Sequence, residues 1–185
     1  MTGTWSPNPD TLYGLQQHHT SSDGCSETVI LQRESADSWI GAGSFPGCLR
    51  DLTPVGGSAY AIGSSVLRYH DGNFELVDAG ATADTFSVWG SSTSDVYLAQ
   101  NPGQLLHFDG SGWDPVPGLA DLQLVFGGWG DSQDNHYLVS IESFAHFDGS
   151  SWTVCETDET VAAVGGVGDQ VVMLDGSAQV MLTLP

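Results

Sequence analysis

Residues 88–117, VWGSSTSDVYLAQNPGQLLHFDGSGWDPVP, decide the fold, because a close relative of this stretch follows about forty residues later. The second copy spans residues 127–154 and reads GGWGDSQDNHYLVSIESFAHFDGSSWTV. Two sets of anchors recur along the chain. Trp and Tyr stand eight residues apart at Trp5 and Tyr13, Trp89 and Tyr97, and Trp129 and Tyr137. Asp-Gly recurs at Asp71, Asp109, Asp148 and Asp175, with spacings of 38 and 39 residues between the first three. A period near forty indicates stacked supersecondary units.

Each unit has the pattern of four short β-strands. TFSVWG, DVYLAQ, QLLHFDG and GWDPVP are apolar or alternating runs separated by turn-forming residues, and Asp-Gly between two such runs is typical of a hairpin. Four strands in about forty residues make one propeller blade. The sequence therefore predicts a single all-β domain, a five-bladed β-propeller with four-stranded antiparallel blades and a three-stranded last blade. The predicted blades are residues 1–43, 49–80, 85–118, 122–156 and 161–185.

The repeat motif also resembles a known family. VWGSSTSDVYLAQ followed by LLHFDGSGW is similar to the short propeller repeats of large bacterial secreted or surface proteins, and more loosely to the Asp-box and two-component-regulator propeller repeats. The resemblance is close in the third and fourth units, partial in the first two and weak in the fifth. It implies a scaffold in an extracellular or cell-surface bacterial protein, since these families share an architecture and no single activity.

Charge excludes one class of partner. The 185 residues carry seventeen Asp and six Glu against three Arg and no Lys, giving a net charge of −20. Such a chain repels polyphosphates, which bind through Lys and Arg, so nucleic acid is not an expected partner. There is no apolar run long enough for a membrane span, and no leader is visible at the start of this sequence. The Asp residues sit mostly in turn sequences, so no cofactor is expected; calcium alone is left open, without an EF-type loop pattern.

Three cysteines permit one disulfide. Cys25, Cys48 and Cys155 form no C-x-x-C pair, which argues against structural zinc. In a four-stranded meander, the loop between the second and third strands lies at the same end of the sheet as the link to the next blade. Cys25 lies in the first kind of loop and Cys48 in the second, so we predict a Cys25–Cys48 disulfide and an oxidising compartment.

An insertion of about ten residues in the first unit holds the candidate binding residues. It contains His18, His19 and Asp23 beside Cys25, and insertions on propellers usually emerge as face loops. The four side chains match no known metal-ligand spacing, so a solvated loop pinned by a disulfide is favoured over a metal site. Varied loops at this end of the blades predict the ligand contacts, which are His18, His19, Asp23, Arg50, Asp84 and Asp121.

Other repeated residues are interpreted as structural. Trp89, Trp129, Trp113 and Trp152 recur with the period and are expected to pack between blades rather than to stack on sugars. His107 and His146 occupy equivalent positions, with Tyr69 as their counterpart in the second unit, and are also interpreted as blade-packing residues. The three arginines do not suggest a sialidase clamp, because Arg33 and Arg68 fall in third strands and Arg50 near the start of a first strand.

No catalytic motif occurs, so the chain is interpreted as a non-catalytic binding scaffold for a protein or glycan. The alternative is a carbohydrate-binding propeller lectin, and the weaker alternative a sialidase-like or arabinanase-like hydrolase. The final run, AQVMLTLP, is apolar and uncharged. As the outer strand of a three-stranded blade it would be an open edge, so we expect it to pair with another chain, as in a homodimer, or with a further strand of a longer polypeptide.

Overall fold

The computed structural model describes residues 2–20, 24–80, 84–100, 103–119, 122, 124–167, 170–177 and 180–184. These residues form five antiparallel sheets in which each strand pairs with the next one along the chain. Sheet 1 contains β1 (Thr2–Asn8), β2 (Thr11–Thr20), β3 (Gly24–Arg33) and β4 (Trp39–Pro46). Sheet 2 contains β5 (Leu49–Val55), β6 (Ser58–Gly63), β7 (Val66–His70) and β8 (Asn73–Leu76). Sheet 3 contains β9 (Thr85–Ser92), β10 (Asp95–Gln100), β11 (Gln104–Phe108) and β12 (Trp113–Pro115). Sheet 4 contains β13 (Val125–Ser132), β14 (Asn135–Ser140), β15 (Ser143–Phe147) and β16 (Trp152–Glu156). Sheet 5 contains β17 (Val161–Val167), β18 (Gln170–Asp175) and β19 (Val180–Leu184).

The predicted all-β architecture is confirmed, down to the three strands of the last sheet. The chain divides into two compact units, Met1–Thr85 and Phe86–Pro185. The first unit contains sheets 1 and 2, and the second contains sheets 4 and 5 with nearly all of sheet 3. Their organisation as a single domain stays a prediction. In the described part of the chain, no helix has the length and apolar character needed to cross a membrane.

Within each unit the core lies between neighbouring sheets. Leu15 and Ile30 of sheet 1 pack with Leu49 and Leu67 of sheet 2, and all four are fully buried. In the second unit, one core joins sheets 3 and 4 and another joins sheets 4 and 5. The second strand of sheet 4 is buried along nearly its whole length, whereas the fourth strand of that sheet is largely exposed. A strand with only one covered face would alternate between buried and exposed residues. Sheet 4 packs against sheet 3 on one face and against sheet 5 on the other, which covers both faces of its second strand.

The Asp-Gly hairpins are of two kinds. Asp71 and Gly72 both have positive φ, 47° and 87°, as a two-residue type I′ turn requires. Asp109 instead opens a longer turn, in which its Oδ1 accepts hydrogen bonds from the Ser111 amide and hydroxyl and from the Gly112 amide. Asp148 holds the same turn through Ser150 and Ser151. These hydrogen bonds, led by the serine hydroxyls, lower the pKa of each carboxyl to about 2.

Trp89 and Trp129 pack against glycines of the next sheet, as expected for tryptophans that build the sheet interfaces. Trp89 is buried, and a Cβ built on Gly128 would lie 2.1 Å from its ring. In the next pair of sheets, a Cβ on Gly166 would lie 2.4 Å from the ring of Trp129. Gly128, the residue before Trp129, must therefore be a glycine, because any side chain at this position would collide with the indole ring of Trp89.

Substituting Gly128 should test this packing. We expect Gly128→Ala to lower the free energy of unfolding by about 1–3 kcal/mol, because the buried Trp89 ring must shift to admit a methyl group. The matched control is Gly127→Ala, whose new methyl would meet only the Ser87 hydroxyl at 3.8 Å. It should change stability by less than about 0.5 kcal/mol. Urea denaturation measures both, and equal losses in the two variants would contradict the assignment.

The insertion in the first unit lengthens a hairpin. β2 and β3 are ten residues each, and His18 and His19 lie on β2, opposite Glu27 and Cys25 of β3. The expectation of a face loop at these histidines is therefore wrong, because the added residues satisfy their backbone hydrogen bonds by pairing with each other. The predicted Cys25–Cys48 disulfide is present, with a Cα separation of 5.6 Å. It ties the long hairpin to the link between sheets 1 and 2.

Sheet 5 ends in an open edge. β19 pairs with β18, and within the described residues it has no strand on its other side. Val180, the first residue of β19, is 63% exposed. The three-stranded arrangement matches the prediction, and pairing of this edge with another strand stays a prediction.

Candidate functional site

A groove between sheets 3 and 4 is the best candidate for a binding site. It has a volume of about 770 Å³ and lies at the end of the two sheets where their first and second strands, and their third and fourth strands, are joined by turns. We call this the turn end, and the opposite end of each sheet the link end. The described groove residues are Ser94, Asp95, Tyr97, His107, Asp109, Asp114, Pro115, Val116, Pro117, Gly118, Gln133, Asp134, Phe147, Gly149, Ser150, Ser151 and Trp152.

A buried carboxylate lies at the base of the groove. Asp95 begins β10, and its side chain is 2% exposed. Its Oδ1 accepts a hydrogen bond from His107 Nε2 of the same sheet at 2.8 Å. Its Oδ2 accepts from the Ser91 amide at 3.2 Å and from the Ser91 hydroxyl, and lies 2.9 Å from Nε2 of His136 in sheet 4. One carboxylate thus connects two sheets, with His136 completely buried beneath it.

This network fixes the protonation state of Asp95. Burial works against the charged form, but hydrogen bonds from His107, His136 and Ser91 together outweigh it and hold the pKa of Asp95 far below its usual value. An ionised carboxylate only accepts hydrogen bonds, so the hydrogen bond from His107 requires a proton on Nε2 of that imidazole. Burial, reinforced by the negative charge of Asp95, raises the pKa of Tyr97, whose phenol therefore stays neutral.

The repeat explains how the local structure positions these residues. Tyr97 pairs with His107 across β10 and β11, and Tyr137 pairs with His146 at the same register in sheet 4. Each histidine ring stacks on its tyrosine, at centroid distances of 4.3 Å and 4.2 Å. Asn135 takes the place of Asp95 in sheet 4, and its Oδ1 lies 2.9 Å from His146 Nε2. The prediction that these histidines help to build the blades is consistent with the stacking.

One equivalence drawn from the sequence is wrong. In sheet 2, Tyr60 pairs with Arg68, so Arg68 and not Tyr69 occupies the position of His107. The turn at Asp71-Gly72 is two residues shorter than the turn at Asp109. An alignment that matches the Asp-Gly pairs of the two sheets therefore misplaces the third strand of sheet 2 by one residue. Tyr69 lies instead on the opposite face of the strand, in the aromatic cluster of sheets 1 and 2.

The polar base of the groove is specific to this pair of sheets. The register position of His136 is occupied by Ala59 in sheet 2 and by Val171 in sheet 5. Ala59 and Val171 belong to the apolar cores of their own sheet pairs. Among the described sheet interfaces, only the one between sheets 3 and 4 has a buried histidine at this position, facing a carboxylate. A polar group in a repeated apolar position costs stability unless it is fully paired, which singles out this interface.

Aromatic side chains form the wall of the groove. Trp152 begins β16 and packs edge-on against Tyr97 of sheet 3, with ring centroids 5.9 Å apart and an interplanar angle of 84°. Phe147 lies beside it on β15 at 5.3 Å. Both rings are partly exposed and line the groove. In sheets 1 and 2, Phe74 packs edge-on against Tyr13 in the same way.

The rim of the groove is acidic. Asp109, Asp114 and Asp134 come from the β11–β12 turn, β12 and the β13–β14 turn, and all three are exposed. The side chains of Asp114 and Asp134 make no hydrogen bond or ion pair within the described part of the chain. The lining contains neither Lys nor Arg. Its only basic side chain is His107, which is bound to Asp95.

None of the four described residues that the sequence predicts as ligand contacts lines this groove. Arg50 and Asp84 form an ion pair at 3.4 Å, and Arg50 also donates to the Thr85 carbonyl. His18 and His19 are exposed neighbours on β2, paired with Glu27 and Cys25 of β3. Asp23 and Asp121 lie outside the described residues. The structure therefore joins Arg50 with Asp84, and the six residues as a ligand site stay a prediction.

Neither a metal centre nor an arginine clamp is formed by the described residues. They contain no group of three or more His, Cys, Asp or Glu side chains placed to hold a metal ion. The three arginines lie on β3, β5 and β7, as predicted. Arg33 donates to the Ser35 carbonyl, Arg50 is paired with Asp84, and Arg68 lies close enough to Tyr60 to oppose the rise that burial causes in the pKa of that phenol.

Comparisons with known proteins find the fold and no family. No protein-family model matches the chain, and no curated protein matches it by sequence. Among solved structures, it is similar to YCF48 bound to D1 peptide, with a TM-score of 0.63 and 13% identity, covering 95% of this chain and 61% of that one. It is also similar to a chain of the nidogen/laminin complex, with a TM-score of 0.59 and 12% identity over 94% of this chain and 75% of that one. The computationally designed Ika8 protein gives a TM-score of 0.68 and 10% identity over 99% of this chain and 61% of that one.

The chain has a five-bladed β-propeller fold. The five sheets described above are its blades, which confirms the predicted fold class. The chain spans about three fifths of the length of YCF48 and of Ika8. Membership of the bacterial repeat family named from the motif stays a prediction.

The sequence contains one signal for the groove. His136 is a polar residue at a register position that is occupied by Ala59 in blade 2 and by Val171 in blade 5. Asp95 and His107 give no such signal, because Asn135 and His146 occupy their positions in blade 4. His136 alone therefore marks the junction between the third and fourth blades as a departure from the repeat.

Proposed function

We propose that the chain is a non-catalytic binding module that holds a segment of another polypeptide in the groove between blades 3 and 4. The observation that carries this proposal is the groove itself. Its 770 Å³ lies within the range of sites that bury a sizeable ligand, and partly exposed aromatic rings line it beside polar turns. Aromatic anchors in a concave site supply most of the affinity in peptide recognition.

The solved relatives support the same class of function. YCF48 is described as bound to a D1 peptide, and nidogen as in complex with laminin. The identities of 12–13% carry the fold and not the site, so the ligand of this chain must be argued from its own groove. The disulfide supports an extracellular or cell-surface location, because such bonds persist in oxidising compartments.

A peptide selection tests the proposal. A displayed library of random linear peptides is selected on the folded chain, and the affinities of the retained peptides are measured by calorimetry. Trp152→Ala should weaken their binding at least about tenfold, which corresponds to about 1.4 kcal/mol. The matched control is Trp113→Ala. Trp113 begins the fourth strand of blade 3 as Trp152 does in blade 4, and packs against Phe108 as Trp152 does against Phe147, but it does not line the groove.

Three results would replace this proposal. Peptides that tolerate Trp152→Ala but are lost in a His18→Ala, Arg50→Ala variant would move the site to the link end predicted from the sequence. Binding on a glycan array without any selected peptide would favour the lectin. Failure of the chain to retain any peptide or glycan would remove the binding function altogether. Circular dichroism of each variant shows whether it is folded.

A further inference from the structure

We propose that the groove selects a cationic side chain, lysine or arginine, of its polypeptide ligand; the inference rests on the binding function proposed above. The occupant is defined by charge complementarity between the groove and its ligand. Four carboxylates line the groove, those of Asp95, Asp109, Asp114 and Asp134, with no Lys or Arg among the described lining residues. A cation entering the groove therefore meets no Lys or Arg among the described lining residues, and the single lining imidazole, that of His107, faces Asp95.

The carboxylates of the rim have acceptor capacity left for a ligand. In Asp109, the three hydrogen bonds of the turn all fall on Oδ1. Asp114 and Asp134 make no hydrogen bond or ion pair within the described residues. The three come from three separate segments of two blades, so they line the groove from both blades rather than along one strand. A guanidinium or ammonium group with several N–H donors matches such a ring of acceptors.

Aromatic rings give the same preference independently of the acidic side chains. Trp152 and Phe147 expose part of their rings to the groove, and a cation over an aromatic face gains about 0.5–2 kcal/mol. The long methylene stem of Lys or Arg also packs on an apolar wall while its head stays at the polar rim. A groove with both features favours a long cationic side chain over a small cation, which would leave the aromatic wall uncovered.

The buried Asp95 adds to the preference from below. Its charge is held in the ionised state by His107, His136 and Ser91, and it lines the base of the groove. Anionic ligands such as phosphopeptides or sulfated glycans would approach this charge and the acidic rim without a single Lys or Arg to compensate. The chain contains no Lys, and its arginines are at positions 33, 50 and 68, all in blades 1 and 2.

Neutral substitutions in the rim test the inference with the peptides selected above. The double variant Asp114→Asn, Asp134→Asn keeps the shape of both side chains and removes two charges. The control double variant, Asp37→Asn with Asp158→Asn, removes two exposed charges outside the groove. We expect the selected peptides to share a Lys or Arg, and the groove variant to bind them about tenfold more weakly while the control binds them normally. Replacing that Lys by norleucine should cause a similar loss in the wild type and little further loss in the groove variant.

The outcomes separate this inference from the proposed function. Peptides that lose binding in Trp152→Ala, but contain no Lys or Arg or are indifferent to the two rim substitutions, overturn the inference and leave the peptide site in place. Equal weakening by the control variant shows attraction to the whole acidic chain and also overturns it. Selected peptides that are unaffected by Trp152→Ala overturn both.

Discussion

Replacing Asp95 by alanine should destabilise the protein by about 3–5 kcal/mol, the loss typical of removing one partner from a buried charge network. The substitution removes the carboxylate that lies 2.9 Å from Nε2 of the completely buried His136, and removes the hydrogen bond that holds His107 against Tyr97. Because Asp95 connects blades 3 and 4, the change should also loosen the groove between them. Urea denaturation at pH 7 measures the effect.

Two further variants show whether the loss of stability is specific to the carboxylate of Asp95. Asp95→Asn should cost less than Asp95→Ala, because an amide oxygen can still accept from His107, as Asn135 is placed to do for His146 in blade 4. Asp114→Ala, an exposed position in the same blade, should change stability by less than about 0.5 kcal/mol. A loss below about 1 kcal/mol for Asp95→Ala would show that the network contributes little net stability.

The contribution of Asp95 should also depend on pH in a defined direction. Its pKa is far lower in the folded chain than the usual value of 3.8, so the folded state favours the ionised form. The resulting stabilisation is complete above the unfolded pKa and is lost as the pH falls below it toward the folded pKa. The stability difference between wild type and Asp95→Asn should therefore shrink from about pH 5 downward. A difference that stays constant to pH 3 would contradict the ionised assignment.

Removing the disulfide should have the second largest effect. The variant Cys25→Ser, Cys48→Ser should unfold with a free energy lower by about 3 kcal/mol, since the bond closes a loop with a sequence separation of 23 residues in the unfolded chain. The loss falls on the long hairpin of blade 1, which also holds the start of blade 2 through Gln17 and Thr28. Denaturant unfolding with and without a reducing agent measures it.

The third cysteine provides the control for this experiment. Cys155 is a free thiol on β16, so Cys155→Ser should keep the disulfide and its dependence on reductant. The double variant should be insensitive to reductant. If reductant left the stability of the wild type unchanged, the bond would either be absent or contribute nothing.

The blades could be predicted because their determinants are local. Trp129 and Tyr137 bracket a turn and pair directly across β13 and β14, so their spacing of eight residues reports a hairpin. Asp71 with Gly72 specifies a two-residue turn, since few other residues tolerate positive φ at both positions. Cys25 and Cys48 could be matched because strand order alone brings their two connections to the same end of the meander.

His18 shows where local reasoning fails. Ten extra residues between two strands can form a loop or lengthen both strands, and the sequence does not distinguish these outcomes. The structure shows that β2 and β3 are lengthened, which places His18 and His19 on a sheet rather than in a loop. Arg68 shows a second limit, because a turn shorter by two residues moves the register by one position and changes which side chains share a face.

The sequence by itself determined the strand order of the blades, the three described strands of the last one and the disulfide, because these follow from turns and pairing between consecutive strands. Only the tertiary structure decided the groove. Asp95, His107, His136 and Trp152 come from four strands of two blades and meet through the packing of one sheet on another. That packing depends on volumes, such as the space that Gly128 leaves for Trp89, and the spacing of residues along the chain does not encode it.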